Sequence, residues 1–351
     1  MKKALYLVLV LALTVAWSSL ALAQTKLNPT KDNPIVWKAQ TLWNAGEIPQ
    51  KTFEALCENI KKMSDGRLIV EPFASAVIVP QNETLEALQN NILQVIHVWP
   101  GYGGHKEPGL IPISDPIYAF KNPLEGFMWY YLKGGEEKFR KLYAPFKGYP
   151  VGIMHWTPES YPSRVPIRSK ADFKGLKIRL PQGLENDLLS KLGATVIMFP
   201  GNEIFSALDK GVVDATNWSS LGVNASLGLM DIPGVKYATY PGFHSMPIGD
   251  FTVNIDRWNE LPEDLQAIVE TAVRRWAMDS WMAIHDADLA FVKKARETGK
   301  WEIISWSDEN ITEMRHEAYK VWQEWKKKSP MSKEVLDSIE DYLKELGRSM
   351  E

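Results

Sequence analysis

Cysteine is nearly absent from the sequence, since Cys57 is the single example among 351 residues. One cysteine excludes an internal disulfide framework and any metal site built from several thiolates. Cys57 lies in the apolar run FEALC at residues 53–57, and this setting predicts a buried and unreactive thiol.

An excess of positive charge is also missing, because 40 lysine and arginine residues stand against 43 aspartate and glutamate residues. Without a basic excess the chain lacks the positive charge that binds a phosphate backbone, so no nucleic-acid partner is expected. The hydrophobic share of 45% and the charged share of 24% are those of a globular protein and argue against disorder. The length favours two domains rather than one core.

The common catalytic motifs are absent. No phosphate loop or G-x-S-x-G elbow occurs, and in the run GYGGHK at residues 101–106 Lys106 replaces the last glycine of the dinucleotide pattern. His316 and Glu317 lack a second histidine at the spacing of a zinc protease. A catalytic pair of carboxylates is not excluded, because any two of the 43 acids could lie close together in the fold. A secreted carboxylate-dependent hydrolase is therefore the alternative function.

Long apolar runs are confined to the start of the chain. Lys2 and Lys3 precede an apolar run at residues 4–17, and the run ALA follows at residues 21–23. This order predicts a cleaved secretory signal peptide over residues 1–23, since the apolar run is too short for a comfortable membrane span. We therefore expect an exported protein, located in a bacterial periplasm.

Strand-like and helix-like segments alternate in two series. The first series has strand-like runs at residues 36–40, 67–71 and 95–98, and its apolar residues recur at helical spacing from residue 53 and from residue 85. The second series has strand-like runs at residues 177–180, 195–199 and 212–216, with helix-like segments at 184–192 and 203–208. Such alternation predicts two α/β units with parallel sheets. One long helix is expected from Pro262 towards Gly299, followed by a helical tail that Pro330 interrupts.

A series of motifs in fixed order then points to a family. They are WPGY at residues 99–102, DFKGLKIRLP at 172–181, LGAT at 192–195, PGNEI at 200–204, ALDKGVVDA at 207–215 and YPGFH at 240–244. Over about residues 35–300 the chain resembles the DctP-type solute-binding proteins of TRAP transporters, within the branch that binds 2-oxo acids or lactate.

The resemblance implies an α/β fold of the periplasmic-binding-protein type: a two-domain clamshell with hinge strands and a long domain-spanning helix. The expected boundaries are residues 33–150 plus about 240–262 for domain I, 151–239 plus about 263–309 for domain II, and 310–351 for C-terminal helices. The cleft between the domains is expected to capture a small organic acid and deliver it to the TRAP membrane permease. A receptor that feeds a sensor kinase is the other reading of the same fold.

Several residues are candidates for ligand contact. Arg179 matches the arginine of the family that clamps the ligand carboxylate, and a guanidinium can do so through two parallel hydrogen bonds. Trp218 matches an aromatic residue that lines the cleft. Trp99 and Tyr102 follow a predicted strand, where a cleft wall is expected, and Phe243 and Trp43 are weaker candidates.

The same branch often binds a cation with the ligand, and two departures bear on it. Asn217 stands where the branch usually has a coordinating glutamate, and Ser245 stands where it commonly has another acid. If Glu159 faces the cleft, Glu159, Asn217 and the carbonyl of Trp218 would hold sodium but make a poor calcium site. If Glu159 faces solvent, no cation is expected, and two lost acids favour this second case. Asp250 is a possible substitute acid.

Overall fold

The structure of the protein is a computed structural model, which describes residues 26–199 and 201–350. The predicted signal peptide, residues 1–23, lies outside the described residues. Among the residues that are described, no helix combines the length and the apolar character needed to cross a membrane.

The elements of the first part of the chain alternate between strand and helix. In chain order they are β1 (Ile35–Thr41), α1 (Ile48–Met63), β2 (Leu68–Phe73), α2 (Thr84–Gln89), β3 (Val95–His97), α3 (Leu110–Ser114), α4 (Pro123–Leu132), α5 (Gly135–Tyr143) and β4 (Gly148–His155). The sequence pattern gave β1, α1, β2, α2 and β3, but it did not indicate α3, α4 or α5.

The second part begins with a similar alternation and ends in helices. Its elements are β5 (Lys177–Arg179), α6 (Leu184–Lys191), β6 (Thr195–Ile197), α7 (Ile204–Asp209), β7 (Ala215–Thr216), α8 (Leu221–Ser226), β8 (Tyr237–Thr239), β9 (Ile248–Asn254), α9 (Ile255–Glu260), α10 (Glu263–Thr298), β10 (Glu302–Ile304), α11 (Asp308–Trp325) and α12 (Pro330–Glu345). Short 3-10 helices cover Gln81–Glu83, Pro100–Gly103, Ala144–Phe146, Lys170–Phe173, Gly201–Glu203 and Leu229–Asp231.

The first sheet is mixed, which corrects the expectation of a parallel sheet. Its strand order is β2-β1-β3-β9-β4, with β1 parallel to β2 and β3 and with β9 antiparallel to β3 and β4. The reason is the path of the chain. It returns from the second unit at the edge of the sheet where β3 and β4 end, so β9 enters the sheet from that edge and runs in the opposite direction.

The second unit contains two small parallel sheets, β6-β5-β7 and β10-β8. Ser163 forms antiparallel bridges both to Ala215 in β7 and to Tyr237 in β8. These bridges join the two small sheets side by side. Because β5 and β7 are parallel neighbours, their carboxyl ends lie at one edge of the sheet, where ligands of open α/β sheets bind.

The helix α10 runs from Glu263 to Thr298, within one residue of both ends predicted from the sequence. Gly299 follows it with φ of 62°, a left-handed conformation that glycine adopts without the cost of a side chain. Ser280 in its middle donates a 2.8 Å hydrogen bond to Thr52 of α1, in the first unit. Asp288 accepts a 2.6 Å bond from the backbone N–H of Gly222 in α8, in the second unit. One helix therefore packs on both units.

The C-terminal helices pack against the two units as well. Helix α11 lies against α6, and α12 lies against α3 and α5. Pro330 occupies the first turn of α12, where its missing N–H costs no intrahelical bond, so the interruption falls between two helices. Trp322 and Trp325 are fully buried in the core, as is Cys57, and burial raises the pKa of this thiol well above its usual range.

Candidate ligand-binding site

A cavity lies between the two units, next to the carboxyl ends of β3, β5 and β7. The space between its lining atoms amounts to about 540 Å³, a volume that includes open solvent. Its walls are formed by Leu42, Trp99, Tyr102, Ile111, Asp115, Trp156, Glu159, Arg179, Pro181, Gln182, Gly183, Leu184, Glu185, Asn217, Trp218 and Pro247. A wider opening of about 1210 Å³ adjoins it and shares Trp99, Tyr102 and Arg179.

Arg179 is the last residue of β5 and is 3% exposed. Its Nε and Nη2 donate to the carbonyl of Phe199 at 3.2 and 3.0 Å, and its Nη1 donates to the carbonyl of Asn217 at 2.8 Å. These bonds fix the plane of the guanidinium and use three of its five N–H groups. One N–H on each Nη is left to meet a ligand, and a carboxylate can accept two hydrogen bonds from one guanidinium.

Aromatic rings form much of the wall, and two of them pack directly against glycines. A methyl group at Gly101 would lie 2.2 Å from the ring of Trp99, and one at Gly201 would lie 2.1 Å from the ring of Trp218. These distances are far shorter than van der Waals contact, so only glycine lets the rings adopt these positions. The indole N–H groups of Trp99 and Trp218 are buried and have no hydrogen-bond partner among the described residues.

Three carboxylates converge on the cavity, whereas Arg179 is the one cationic side chain among the described residues that line it. Asp115 and Glu159 belong to loops of the first and second units, and Glu185 lies in the first turn of α6. Burial raises the pKa of Glu159 to about 8, and the charge of Glu185 adds to this shift. Burial also raises the pKa of Glu185 to about 7, against the effect of hydrogen bonds from Tyr161 and Asn217.

The carboxyl of Asp115 shows the same effect, because burial and then the charges of Glu159 and Glu185 raise its pKa well above its ordinary value. Three ionised acids cannot share this buried space with one guanidinium at little cost. The cavity therefore calls for additional positive charge, in the form of protons, a metal ion or a cationic ligand.

Two neutral side chains connect these acids to the wall. The amide nitrogen of Asn217 donates a 2.6 Å hydrogen bond to Oε2 of Glu185. The hydroxyl of Ser245 donates a 2.9 Å bond to Oδ2 of Asp115. Each of the two positions that lack an expected acid is thus bonded to a carboxylate from another part of the chain.

His244 completes the acidic cluster. Its ring stacks on Tyr161 with centroids 4.2 Å apart, and the hydroxyl of Tyr161 donates to Glu185. Nε2 of His244 lies 3.3 Å from Oε1 of Glu185 and 3.3 Å from the amide nitrogen of Asn217. Burial lowers the pKa of His244 to about 3, so the imidazole is neutral and keeps one ring nitrogen as an acceptor or a metal ligand.

These residues form a donor set that fits a metal ion. Glu159, Glu185 and His244 each offer one atom, and the three atoms lie within 4.8 Å of one another. The side-chain oxygen of Asn217 is buried and has no hydrogen-bond partner among the described residues, so it is a fourth potential donor. A cation at this point would neutralise part of the acidic cluster.

The structure brings most of the candidate residues together. Trp99, Tyr102, Glu159, Arg179, Asn217 and Trp218 all line the cavity. Glu159 is 5% exposed, which corrects the preference for a solvent-facing Glu159. The cause is the local backbone, where the N–H of Glu159 donates to the carbonyl of Ser245 at 3.0 Å and thereby fixes this loop against the cleft.

Three other candidates lie elsewhere. Phe243 is outside the cavity, since its ring stacks on Trp306 with centroids 4.4 Å apart and lines a separate space beside α11. Trp43 is fully buried behind the wall, with its ring 5.8 Å from that of Trp218. Asp250 is buried within β9, where it accepts hydrogen bonds from Tyr143 and Thr252.

Sequence reasoning missed Asp115, Trp156, Glu185 and His244. Glu185 had a usable signal, because it follows the carboxyl end of a predicted strand and opens a predicted helix, where α/β folds bind ligands. Asp115 had none, since it lies in a segment whose helix the pattern did not indicate. His244 looked like any dispersed histidine until the fold placed it beside Glu185.

Comparisons with known proteins agree on one family. The sequence profile of DctP, described as bacterial extracellular solute-binding protein, family 7, matches residues 39–328. A monocarboxylate 2-oxoacid-binding periplasmic protein of Nostoc sp. (strain PCC 7120) is 32% identical over 239 residues, which are 67% of this chain and 64% of that protein. The match thus spans less than two thirds of that relative's length.

Solved structures show the same fold. A TRAP periplasmic solute-binding protein of Rhodobacter sphaeroides, in an apo open structure, is 28% identical to this chain with a TM-score of 0.74. The match covers 89% of this chain and 98% of the Rhodobacter chain. One from Colwellia psychrerythraea, with bound calcium and pyruvate, is 24% identical with a TM-score of 0.78 and covers 90% and 95%. The two-domain clamshell predicted from the sequence is confirmed.

Proposed function

The chain belongs to family 7 of the bacterial extracellular solute-binding proteins, and from this we propose that it is the periplasmic receptor of a TRAP transporter. It captures a small organic acid in the cavity between its two units, a 2-oxo or 2-hydroxy monocarboxylate being favoured, and delivers it to the membrane permease. The family consists of binding proteins rather than enzymes, so the alternative of a carboxylate-dependent hydrolase has no support.

The observation that carries this proposal is the position of Arg179. It is held rigid at the end of β5 by backbone carbonyls, and two of its N–H groups remain for a ligand. A buried guanidinium with two free N–H groups is well suited to bind a carboxylate. The aromatic walls then bury the rest of the ligand, which also suits acids with an apolar or aromatic substituent.

The preference for a 2-oxo acid has separate support. The Nostoc relative is named for 2-oxo acids, and the Colwellia structure holds pyruvate together with calcium. In this chain Glu159, Glu185 and His244 would hold a cation, whose positive charge would offset the acids and attract the ligand oxygens. Arg179 would bind the carboxylate of the ligand.

Export follows from the start of the sequence. The basic residues Lys2 and Lys3, the apolar run and the ALA site at residues 21–23 support a signal peptide that is removed on export. Members of this family are periplasmic proteins. Delivery to a permease is favoured over signalling to a sensor kinase, because the family as a whole serves TRAP transporters.

Calorimetry on the mature chain from residue 24 tests the proposal. Pyruvate, lactate and phenylpyruvate are titrated in buffer that contains sodium and divalent ions, with pyruvamide as the control that lacks the carboxylate. We expect the acids to bind and pyruvamide not to bind, and the acid to be recovered unchanged by NMR. Equal affinity for pyruvamide, or no binding of any acid, would contradict the proposed ligand class. Chemical conversion of the acid would contradict a pure binding role.

A further inference from the structure

The acidic cluster of the cavity specifies which kind of cation accompanies the ligand. This inference rests on the proposed function and deepens it. We infer that the organic acid binds together with a divalent transition-metal ion held by Glu159, Glu185 and His244, and not with sodium or calcium. Zinc, manganese and cobalt are the ions of this class with which the site can be examined.

The first step is charge. Arg179 is the one cation among the described residues around the cavity. Its single charge offsets only part of the negative charge of Asp115, Glu159 and Glu185. A carboxylate ligand adds a further negative charge to a space that is shielded from water. A monovalent ion would leave most of this charge uncompensated, whereas a dication brings the site close to neutrality.

The second step is distance. Nε2 of His244 and Oε1 of Glu185 are 3.3 Å apart. Two ligands bound to one metal at bond lengths of about 2.0–2.2 Å are separated by roughly 3.0–3.5 Å in octahedral or tetrahedral geometry. The pair is therefore spaced as two neighbouring ligands of one metal ion. The third atom, from Glu159, lies within 4.8 Å of both.

The third step is the chemistry of the donors. Calcium is bound by six to eight oxygen atoms, and sodium also prefers oxygen, whereas an imidazole nitrogen suits zinc, cobalt and related ions. His244 cannot easily turn away, because its ring stacks on Tyr161 with the planes at 10°. Asn217 contributes a buried oxygen without a partner among the described residues. A six-coordinate metal with one nitrogen and three oxygen donors from the chain would have two positions left, the number that the carboxylate and the adjacent oxygen of a 2-oxo acid would fill.

The fourth step concerns the ligand that could replace the metal. A zwitterionic acid could place its own ammonium group against Glu159 and Glu185 with its carboxylate on Arg179. In that arrangement the ammonium group would donate to the two carboxylates and to the acceptor nitrogen of His244. A dication together with a monocarboxylate adds one net positive charge to the acidic cluster, whereas a zwitterion adds none, so the uncompensated acids favour the metal. Metal-free binding of an amino acid is the outcome that would overturn this choice.

The test uses the mature chain, dialysed against chelator in sodium-free buffer. Zinc, manganese, cobalt, calcium and sodium are titrated one at a time, first alone and then in the presence of pyruvate. We expect one zinc or cobalt ion per chain, bound at least tenfold more tightly than calcium, and pyruvate affinity that rises at least tenfold when the metal is restored. Tighter binding of calcium than of zinc would overturn the inference.

Variants locate the metal. His244→Gln and Glu185→Gln are each expected to weaken zinc binding at least tenfold, whereas His316→Gln and Glu71→Gln, at exposed positions on α11 and β2, leave it unchanged. Since the buried variants risk misfolding, electron spin echo spectroscopy of manganese bound to the unchanged protein, with 15N-labelled histidine, provides an independent readout. A signal that lacks histidine nitrogen would reject His244 as a ligand.

The two proposals fail in different ways. If pyruvate binds equally well with and without metal, and no transition metal binds alone, the receptor function stands and the metal inference is wrong. If no acid binds under any metal condition, the ligand class is wrong, whatever the titrations with metal alone show. If alanine or another amino acid binds to the metal-free protein in place of pyruvate, the cluster serves an ammonium group.

Discussion

Oε2 of Glu185 accepts a 2.6 Å hydrogen bond from the side-chain amide of Asn217. The acid that the resemblance leads one to expect at position 217 is therefore not lost from the site. A carboxylate from the first turn of α6 occupies the neighbouring space, and the neutral amide at 217 orients it. The expectation of no cation considered only the acids at sequence positions 217 and 245, whereas Glu185 reaches the site from another segment. This relationship therefore removes the main reason to expect no cation.

The first prediction concerns Arg179. Arg179→Lys keeps the charge but loses the paired donors and the bonds to Phe199 and Asn217, so affinity for pyruvate should fall at least tenfold, or about 1.4 kcal/mol. Calorimetry measures this loss. Arg168→Lys, at an exposed arginine that pairs with Glu302, is the matched control and should bind as the unchanged protein does. A folded Arg179→Lys protein with full affinity would contradict the assigned role.

The second prediction tests the packing of glycine against tryptophan. Gly201→Ala places a methyl group 2.1 Å from the ring of Trp218, so the ring must move into the cavity. We expect pyruvate affinity to fall about tenfold, which corresponds to a loss of roughly 1.4 kcal/mol of binding free energy. Gly175→Ala is the control, because its φ of 78° makes alanine costly while no atom lies near the added methyl. That variant should lose stability without losing affinity, and loss of affinity in both would refute the packing argument.

The third prediction is closure of the two units on the ligand. A methyl group at Gly183 would lie 3.5 Å from Ile111, so the two units approach each other across the cavity to within about the size of one methyl group, and their separation would widen the path for a ligand. Ligand binding therefore shifts the balance between open and closed forms. Small-angle X-ray scattering should show a smaller radius of gyration with saturating pyruvate. Identical profiles with and without bound pyruvate, binding being confirmed by calorimetry, would reject closure.

The fourth prediction concerns pH and stability. Glu47 is buried at the start of α1, its Oε2 has no hydrogen-bond partner among the described residues, and burial raises its pKa from 4.5 to about 7. The folded protein holds this proton more tightly than the unfolded chain. Stability from the protonated carboxyl is therefore present below pH 4.5 and is lost as the pH rises to 7.

Glu47→Gln removes this titration. Between pH 5 and pH 8 the variant should gain on the order of 3 kcal/mol of unfolding free energy relative to the unchanged protein. Urea unfolding at the two pH values measures the difference, and Glu71→Gln, at an exposed position of β2, should show no such gain. If Glu47→Gln and the unchanged protein differ in unfolding free energy by the same amount at both pH values, the buried, protonated state of Glu47 is refuted.

The sequence by itself determined the elements whose signals are local. Proline and glycine mark both ends of α10, and the spacing of apolar residues along one helical face requires no knowledge of the partner. Trp99 and Tyr102 were expected at a cleft wall because they follow a predicted strand. Arg179 and Trp218 were expected there because their motifs resemble those of the family.

The tertiary structure decided what depends on contacts between distant segments. The antiparallel course of β9 follows from the edge at which the chain returns to the first sheet, and no local pattern encodes that edge. Asp115, Glu185 and His244 come from three separate segments, and each looks like an ordinary polar residue in the sequence. Their shared burial raises or lowers their pKa values and makes them one site. Burial and charge proximity are properties of the folded chain, so the acids that replace those missing at positions 217 and 245 were visible only in three dimensions.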